Sequence, residues 1–247
     1  MSQAKPVWVI KIGGAILDKQ GALQQLLMSL KHVQSENHVF IVLVHGGGST
    51  VDQMLNAANF KTEKLDGLRV TPIEQMPVIA GALAGSVNKT IVAASNSLEM
   101  NAVGLSLTDG QMITCKQANP KLGQVGIPSA GDKTVLTSLF ASNLLPVVAS
   151  IGSLNNGQLV NVNADDAAVA LCQLLDAQLV LLTDVSGVKD KEGELLPTLS
   201  QAQADELIND GVIYGGMTAK VKAALTAAAH LRRSIAVASW DKPEQLI

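Results

Sequence analysis

Glycine residues end two apolar segments of the chain, and Lys11 lies just before the first group of them. The glycines are Gly13, Gly14, Gly46, Gly47 and Gly48. Because glycine has no Cβ, the backbone N–H groups of such turns can approach a ligand closely and surround an anion with donors. Lys11 can add a full positive charge. This combination predicts a phosphate site, and phosphoryl transfer is chemistry that depends mainly on positioning and charge neutralisation.

A lysine beside a tight turn is commonly only solvated, but two glycine turns after neighbouring strands favour the functional interpretation of Lys11. Two further cations, Lys220 and Arg69, could complete such a site. Lys220 follows Gly215-Gly216 in the predicted first turn of a helix, where a cation opposes the helix dipole unless an anion is bound. The alternative is a surface lysine. Arg69 can hold a carboxylate through two parallel hydrogen bonds, although a lone arginine in a loop is usually solvated.

Amide and carboxylate side chains form a third group of candidates. Asn161 and Asn163 alternate along a predicted strand, which puts both amides on one face, and Asp165 follows them. This pattern is typical of a polar binding edge, but Asn163 or Asp165 could equally cap the helix that comes next. The histidines lack metal-ligand spacing. Only His45 is near the predicted phosphate site, where it is expected to stabilise the turn.

The composition restricts the classes of protein to consider. The chain has 247 residues, of which 47% are hydrophobic and 2% aromatic, so aliphatic side chains must fill a large core. The net charge of −3 disfavours nucleic acid or an anionic membrane as a partner. The two cysteines lie far apart, as in a protein of the reducing cytoplasm. The P-loop motif G-x-x-x-x-G-K-[ST] is missing, so the motif gives no support for a P-loop protein. A clean G-x-G-x-x-G is also missing, which weakens the alternative of a dinucleotide-dependent oxidoreductase.

Apolar runs that alternate with amphipathic segments predict a parallel sheet covered by helices. Strands are predicted at 7–12, 39–44, 103–107, 112–115, 145–150, 178–182 and 234–238. Helices are predicted at 21–34, 49–58 with Ser49 as its cap, 76–94 after Pro72, 134–142, 164–175, 200–209 and 217–231. Residues 59–71, 119–133 and 184–193 are expected to be loops, the second of them a mobile flap, and 155–157 a hairpin turn. The segments before and after residue 176 are expected to have different roles, which predicts two lobes, 1–175 and 176–247.

The predicted helix at 76–94 is rich in small residues, which allow another backbone to approach closely. They are Ala80, Gly81, Ala82, Ala84, Gly85 and Ser86. Asn88 and Lys89 help to interrupt its apolar run, which favours a soluble helix over a membrane span. Tight packing on the sheet is the slightly favoured interpretation of the small residues. A helix crossing at a dimer interface is the alternative.

Five segments, taken together and in order, resemble the amino acid kinase family. They are Lys11-Ile12-Gly13-Gly14, His45-Gly46-Gly47-Gly48, Gly67-Leu68-Arg69-Val70-Thr71, Asn161-Val162-Asn163-Ala164-Asp165 and Gly216-Met217-Thr218-Ala219-Lys220. Each is weak alone, but the ordered set is highly specific and spans nearly the whole chain. The resemblance is strongest to short bacterial members that use ATP with Mg²⁺ to phosphorylate the side-chain carboxylate of N-acetyl-L-glutamate in arginine biosynthesis. It implies a three-layer αβα sandwich with a central, mostly parallel sheet, as in carbamate kinase-like folds.

The resemblance also implies roles for individual residues. The implied catalytic residues are Lys11, Lys220 and Asp165. Those implied to bind the acylated amino acid in the amino-terminal lobe are Gly47, Gly48, Arg69, Asn161 and Asn163. Those implied to bind ATP are Lys11, Gly13, Gly14, Asp184, Ser186, Gly187 and Lys220. In the family, the lysines neutralise the transferred phosphoryl group, the aspartate holds both lysines, and the glycines donate backbone N–H groups.

Partners and alternatives follow from the same resemblance. A cytoplasmic homodimer through the helix at 76–94 is expected. Arginine-inhibited members carry an extra amino-terminal helix, whereas only residues 1–6 precede the first strand, so arginine feedback is not expected. Within the family, the alternatives are a uridylate, carbamate, aspartate or glutamate 5-kinase. A non-catalytic nucleotide sensor on the same scaffold is disfavoured, because Lys11, Asp165 and Lys220 are all retained.

Overall fold

The computed structural model describes residues 5–65, 67–183, 196, 199–214, 216–232 and 235–239. Its strands are β1 (Val7–Ile12), β2 (Phe40–His45), β3 (Glu63–Leu65), β4 (Leu68–Val70), β5 (Ala102–Ser106), β6 (Ile113–Gln117), β7 (Val125–Ala130), β8 (Leu145–Ala149), β9 (Ile151–Ser153), β10 (Leu159–Val162), β11 (Gln178–Thr183) and β12 (Ala236–Ser239). Its α-helices are α1 (Gly14–Asp18), α2 (Ala22–Glu36), α3 (Gly48–Ala57), α4 (Met76–Ala80), α5 (Asn88–Ser97), α6 (Thr134–Ala141), α7 (Ala164–Leu175), α8 (Gln201–Asn209) and α9 (Gly216–Leu231).

A six-stranded sheet forms the middle of the fold, with its strands in the order β12-β11-β1-β2-β8-β5. Every neighbouring pair in it is parallel. Such strands are buried on both faces, which explains why the sequence shows them as nearly continuous Val, Leu and Ile runs. The predicted parallel sheet is confirmed. Its strands all end at one edge, where ligands of parallel sheets bind.

Helices cover both faces of this sheet, so the expected three-layer αβα arrangement is confirmed. Successive side chains of β1 point to opposite faces. Ile10 and Ile12 pack in the core with residues of α2 and α5, whereas Val9 packs in the core with residues of α6 and α7. Lys11 is on the same face of β1 as Val9, and therefore faces the layer that contains α7.

Two segments expected to be loops contain strands. Within 59–71, β3 and β4 form an antiparallel hairpin that pairs Lys64 with Arg69. Within 119–133, β7 pairs with β6 and β10 in a second sheet of order β6-β7-β10-β9, so the expectation of a mobile flap was wrong. These strands escaped the sequence analysis because they are short, or rich in polar residues, Gly and Pro, and give weak alternation. The turn at 155–157 is confirmed, since β9 and β10 pair antiparallel on either side of it.

The prediction that Ser49 caps α3 was also wrong. The helix begins at Gly48 with Gly47 as its N-cap residue, and no side chain caps it. A capping residue has extended backbone just before the first turn, whereas Ser49 already lies inside that turn. Its hydroxyl instead donates to Asp18 Oδ1 over 2.7 Å and so links α3 to α1.

One continuous helix, Ile73–Ser97, contains α4, the π-helical segment Gly81–Val87 and α5. Among the described residues it is long and apolar enough, by length and composition, to cross a membrane. Its inner side packs on the rest of the fold through Ile79, Leu83 and Ile91. A Cβ on Gly81 or Gly85 would meet no atom within 4 Å, so these two glycines do not serve packing on the sheet. The favoured interpretation of the small residues was therefore wrong at these positions.

Candidate functional site

The two glycine turns lie side by side at the carboxyl ends of β1 and β2. Ile12 is the register partner of His45, so the two turns leave the sheet at the same level. A Cβ on Gly14 would lie 3.9 Å from the backbone nitrogen of Gly48. Helix α1 begins at Gly14 and helix α3 at Gly48, so two helix starts face each other. The structure thus brings together the two turns that the sequence singled out.

The N-terminus of α3 presents backbone N–H groups that no side chain caps. Its first intrahelical bond runs from the Val51 N–H to the Gly47 carbonyl over 2.9 Å, which leaves the three preceding N–H groups of the helix without a helical acceptor. Gly48 is exposed, whereas Gly47 is buried. Unpaired N–H groups and the positive end of the helix dipole favour an anion at this position.

Lys11 forms an ion pair with Asp165, which lies in the first turn of α7. The distance from Lys11 Nζ to Asp165 Oδ1 is 2.9 Å, and the two side chains are 20% and 31% exposed. The side-chain oxygen of Asn163 accepts from the backbone N–H of Asp165 over 2.8 Å, so Asn163 is the cap of α7. The predicted proximity of Lys11 and Asp165 is therefore confirmed. The capping alternative for Asn163 is confirmed as well, and its part in substrate binding stays a prediction.

His45 lies under the second glycine turn and is fully buried. Its Nδ1 is 2.8 Å from the carbonyl oxygen of Gly46, which confirms the expected role in stabilising the turn. Burial lowers the pKa of His45 to about 4, so the imidazole is neutral at physiological pH. A neutral, buried ring adds no positive charge to the anion site.

Arg69 reaches the site from β4 and is held by α3. Its Nη1 donates to Asp52 Oδ1 over 2.6 Å and to Thr62 Oγ1 over 3.3 Å, and Nη2 donates to the Gly48 carbonyl over 3.4 Å. The Arg69 guanidinium beside Asp52 holds the pKa of that carboxyl below its usual value. Arg69 is therefore a positioned cation next to the second glycine turn rather than a freely solvated loop residue.

Asn161 connects to the same hairpin through Thr71. Its Nδ2 donates to Thr71 Oγ1 over 3.3 Å, and that hydroxyl donates to the backbone carbonyl of Arg69 over 3.1 Å. Asn161 is half-buried on β10. The structure therefore brings Arg69 and Asn161 to one polar region, as the sequence predicted.

Other predicted site residues lie outside the described structure. The backbone of Lys220 belongs to α9, which packs against α7, but its side chain is not among the described ones. Asp184, Ser186 and Gly187 fall in the range 184–195, which the structure does not describe. Their assignment to the nucleotide, the convergence of Lys220 with Lys11, and the boundary near residue 176 all stay predictions.

The sequence analysis did not identify two residues that contact the site residues and hold them in place. Asp52 pairs with Arg69, and Asn88 contacts His45. Asp52 lies on α3, one helical turn after Gly48, which puts both on one side of that helix and is the only signal the sequence offers. No spacing rule relates Asn88 to His45, because their contact crosses between a helix and the end of a strand.

Comparison with known proteins agrees with this architecture. Residues 6–239 match the profile of the Amino acid kinase family. The chain is similar to an acetylglutamate kinase from Colwellia psychrerythraea, with 60% identity over 242 residues that make up 98% of this chain and 92% of the relative.

Two solved structures have the same fold. The protein smu.665 from Streptococcus mutans UA159 superposes with a TM-score of 0.79 at 27% identity, with 94% of each chain covered. A carbamate kinase from Giardia gives a TM-score of 0.68 at 15% identity over 99% of this chain and 96% of its own length, a likeness that concerns the fold alone. With the profile match, the full-length relative and the paired glycine turns, the chain belongs to the amino acid kinase family.

Proposed function

We propose that this protein uses ATP to phosphorylate the γ-carboxylate of N-acetyl-L-glutamate, giving N-acetyl-L-glutamyl 5-phosphate and ADP, a step of arginine biosynthesis. The observation that carries the proposal is the pair of glycine turns beside Lys11, with Arg69 held at their edge. The match to an acetylglutamate kinase over nearly the full length supports the same substrate.

The proposed reaction needs charge neutralisation more than proton transfer. A carboxylate has a pKa near 4.3 in its free form and is already ionised at neutral pH, so it needs no general base. A γ-carboxylate oxygen attacks the γ-phosphorus of ATP, the bond to the β,γ-bridging oxygen breaks, and ADP leaves. Repulsion between the two anions is the main obstacle. Lys11, Lys220 and the N–H groups of Gly14, Gly47 and Gly48 are assigned to reduce it.

Asp165 is assigned to hold the lysines. A carboxylate 2.9 Å from Lys11 Nζ fixes the ammonium at the carboxyl end of β1 before substrates bind. Because Asn163 caps α7, the first turn that carries Asp165 is itself held in place. This arrangement supports a site organised in advance of the reaction, which lowers the reorganisation needed in the transition state.

Arg69 and Asn161 are assigned to the α-carboxylate of the substrate, with Asn163 nearby. The Nε–H of Arg69 and one N–H of Nη2 donate to no atom of the described residues, so the guanidinium retains donors for a ligand. Gly48 links the two sites, because its carbonyl accepts from Arg69 Nη2 and its N–H is assigned to the phosphoryl group. A substrate held by its α-carboxylate at Arg69 would extend its side chain towards the glycine turns.

ATP is assigned to the carboxy-terminal lobe, 176–247, and the acylated amino acid to the amino-terminal lobe, 1–175. Gly13, Asp184, Ser186, Gly187 and Lys220 are the proposed nucleotide contacts. The glycine turns and Lys11 fit the γ-phosphate. Mg²⁺ would be held by the ATP phosphates and would supply further positive charge there.

A homodimer through the helix Ile73–Ser97 is part of the proposal. Gly81 and Gly85 face open space on this helix, and small residues there allow a second copy to approach closely. The helix is not proposed to span a membrane, because buried Asn88 bonds to strand carbonyls and ties the helix to the sheet. A cytoplasmic location is also proposed, and the two buried free cysteines fit a reducing compartment.

One assay tests the function. ADP release by the purified protein is measured with ATP and N-acetyl-L-glutamate, and in parallel with L-glutamate, L-aspartate, carbamate and UMP. The expected result is turnover with N-acetyl-L-glutamate at least about a hundredfold above the others. Preferred turnover of UMP or carbamate would move the protein to another activity of the family, and ATP binding without any turnover would favour a sensor.

A further inference from the structure

Asn88 is a buried amide to which no part of the reaction has been assigned. It begins α5, at the end of the π-helical segment, and is fully buried. Its Nδ2 lies 2.9 Å from the Val147 carbonyl, 3.3 Å from the Leu105 carbonyl and 3.1 Å from His45 Nε2. Carbonyl oxygens only accept hydrogen bonds, so the NH₂ group of the amide is the end that faces them. Asn88 therefore joins the helix to β8, to β5 and to the end of β2.

Gly104 makes this approach possible. It lies on β5, and a Cβ at this position would overlap Asn88 Oδ1 and come against Lys89 Nζ. A glycine inside a strand weakens the strand, and commonly marks a place where another group must come close. Here the group that comes close is the Asn88 amide. The absence of a side chain at Gly104 thus makes room for the Asn88 amide.

The partners of His45 determine which of its nitrogens carries the proton. The Gly46 carbonyl can only accept, so Nδ1 must be the donor across the 2.8 Å contact. The Asn88 NH₂ can only donate, so Nε2 must be the acceptor. Burial keeps the ring neutral by lowering its pKa to about 4. His45 is therefore held as the neutral Nδ1–H tautomer.

The Gly46 carbonyl and the Gly47 N–H belong to one peptide unit. That unit is planar and trans, so its C=O and N–H point in opposite directions and turn together. A hydrogen bond that fixes the carbonyl therefore also fixes the direction of the N–H. Gly47 is buried against Leu83 and Val87, which allows little other adjustment. The Gly47 N–H is one of the donors assigned above to the phosphoryl group.

We propose that Asn88 is a positioning residue for phosphoryl transfer: through the imidazole of His45 it orients the Gly47 N–H towards the transferred phosphoryl group. The proposal rests on the proposed function, since it assigns a support to a donor of that site. Asn88 itself touches no substrate. Asn88 acts by fixing the tautomer of His45, which in turn fixes the orientation of the peptide unit between Gly46 and Gly47. The tautomer can be measured directly.

The tautomer is tested first, by nitrogen NMR of protein labelled at the histidine ring. The spectrum of His45→Asn identifies the His45 signals by their loss. Wild-type protein at neutral pH is expected to show His45 neutral, with Nδ1 protonated and Nε2 bare. In Asn88→Asp the carboxylate accepts a hydrogen bond, so Nε2 is expected to become protonated. A wild-type ring protonated on Nε2 overturns the proposal, whatever the activity of any variant.

Kinetics provide the second test. Asn88→Asp and Asn88→Leu are expected to lower kcat about tenfold or more, with KM for N-acetyl-L-glutamate within about twofold of wild type, because the oriented donor acts on the phosphoryl group and not on the α-carboxylate. Asn56→Asp is the matched control, since it makes the same change of charge at an exposed position of α3. It is expected to retain the wild-type kcat.

Variants of His45 separate positioning from a general loss of packing. Asparagine at this position keeps an N–H donor at the δ position, within reach of the Gly46 carbonyl, whereas leucine has none. The expected order of kcat is wild type, then His45→Asn, then His45→Leu. Equal kcat in both variants, or full kcat in folded Asn88→Leu, contradicts the proposal. A wild-type enzyme inactive on N-acetyl-L-glutamate would instead refute the proposed function, and would leave the tautomer result standing.

Discussion

Arg69 Nη1 lies 2.6 Å from Asp52 Oδ1, so the guanidinium assigned to the substrate is already held by a carboxylate of α3. The Arg69 side chain is 10% exposed in this pair. A long side chain fixed in this way loses less conformational entropy when a ligand binds to its remaining donors. The pair also joins the β3–β4 hairpin to the helix whose N-terminus belongs to the proposed phosphate site.

Asp52→Asn is therefore expected to weaken substrate binding without changing the chemical step. The loss of one charge-assisted hydrogen bond should raise KM for N-acetyl-L-glutamate about tenfold, while kcat stays within about twofold. Steady-state kinetics at saturating ATP measure both constants. Glu36→Gln, at the exposed end of α2, removes the same charge far from Arg69 and should leave both constants at their wild-type values. A fall in kcat alone would contradict the assignment.

Arg69→Ala is expected to raise KM for the acylated amino acid by about a hundredfold, because it removes the cation assigned to the α-carboxylate. KM for ATP should change little. Kinetics with each substrate varied in turn provide the test. If only KM for ATP rises, Arg69 belongs to the nucleotide and the substrate assignment is wrong.

Lys11→Ala and Lys220→Ala are each expected to lower kcat by about a hundredfold or more, since each removes a charge that acts most strongly in the transition state. Lys11→Arg should recover part of the loss, because it keeps the charge beside Asp165. Thermal unfolding of the variants checks that they are folded. Wild-type kcat in a folded Lys11→Ala protein would rule out the assigned role.

Stability should fall when the pH is lowered through the range in which only the unfolded chain protonates His45. Its pKa is lowered from 6.5 to about 4 in the folded protein. Between these values the unfolded state binds a proton that the folded state does not, so this contribution is complete above pH 6.5 and is lost as the pH falls towards 4. From pH 7.5 to 5.0 the loss is about 2 kcal/mol.

Urea unfolding at these two pH values measures that loss. Other groups also titrate, so the informative quantity is the difference between wild type and His45→Asn, which lacks the titrating ring. The variant should lose about 2 kcal/mol less than wild type over the same interval. Equal losses would mean that His45 is not held neutral in the folded protein.

Gly47→Ala should destabilise the protein, because the added Cβ would crowd two buried side chains. A Cβ at this position would lie 2.8 Å from Val87 Cγ2 and 3.1 Å from Leu83 Cδ2. Overpacking of this kind costs about 1–3 kcal/mol. The double variant Gly47→Ala with Val87→Ala removes the nearest of these atoms and should recover part of the thermal stability, which differential scanning calorimetry can measure. Absence of any recovery would place the strain elsewhere.

The sequence was most informative where burial decides the structure. The parallel strands were recognisable because both of their faces are buried, and the position of Lys11 near the carboxyl end of β1, with Gly13 just after it, then followed from the direction of the strands. The β3–β4 hairpin was missed because it is short and its residues are polar, so alternation is hardly visible. Ser49 was misassigned because its hydroxyl has a distant partner, Asp18, that no local rule identifies.

Long-range polar contacts are the part of the candidate site that could not be predicted from the sequence. Asn163 was recognised as a candidate cap of α7, because the capping pattern is local. The pair of Asp52 with Arg69 and the contact of Asn88 with His45 depend on how separate elements pack, and their sequence separations carry no signal. The assignment of Arg69 came from the family resemblance, while its anchoring became visible only in the folded chain.

The β3–β4 hairpin that carries Arg69 contains only two strands, whereas β1 and β2 lie in the interior of the six-stranded sheet. A two-stranded ribbon has little stability of its own, while interior strands are among the last parts of a protein to open. The residues proposed to select the acid and those proposed to transfer the phosphoryl group thus lie in parts of the fold with unequal local stability. Redesign of the ribbon offers a way to change which acid is accepted while the rest of the catalyst is left intact.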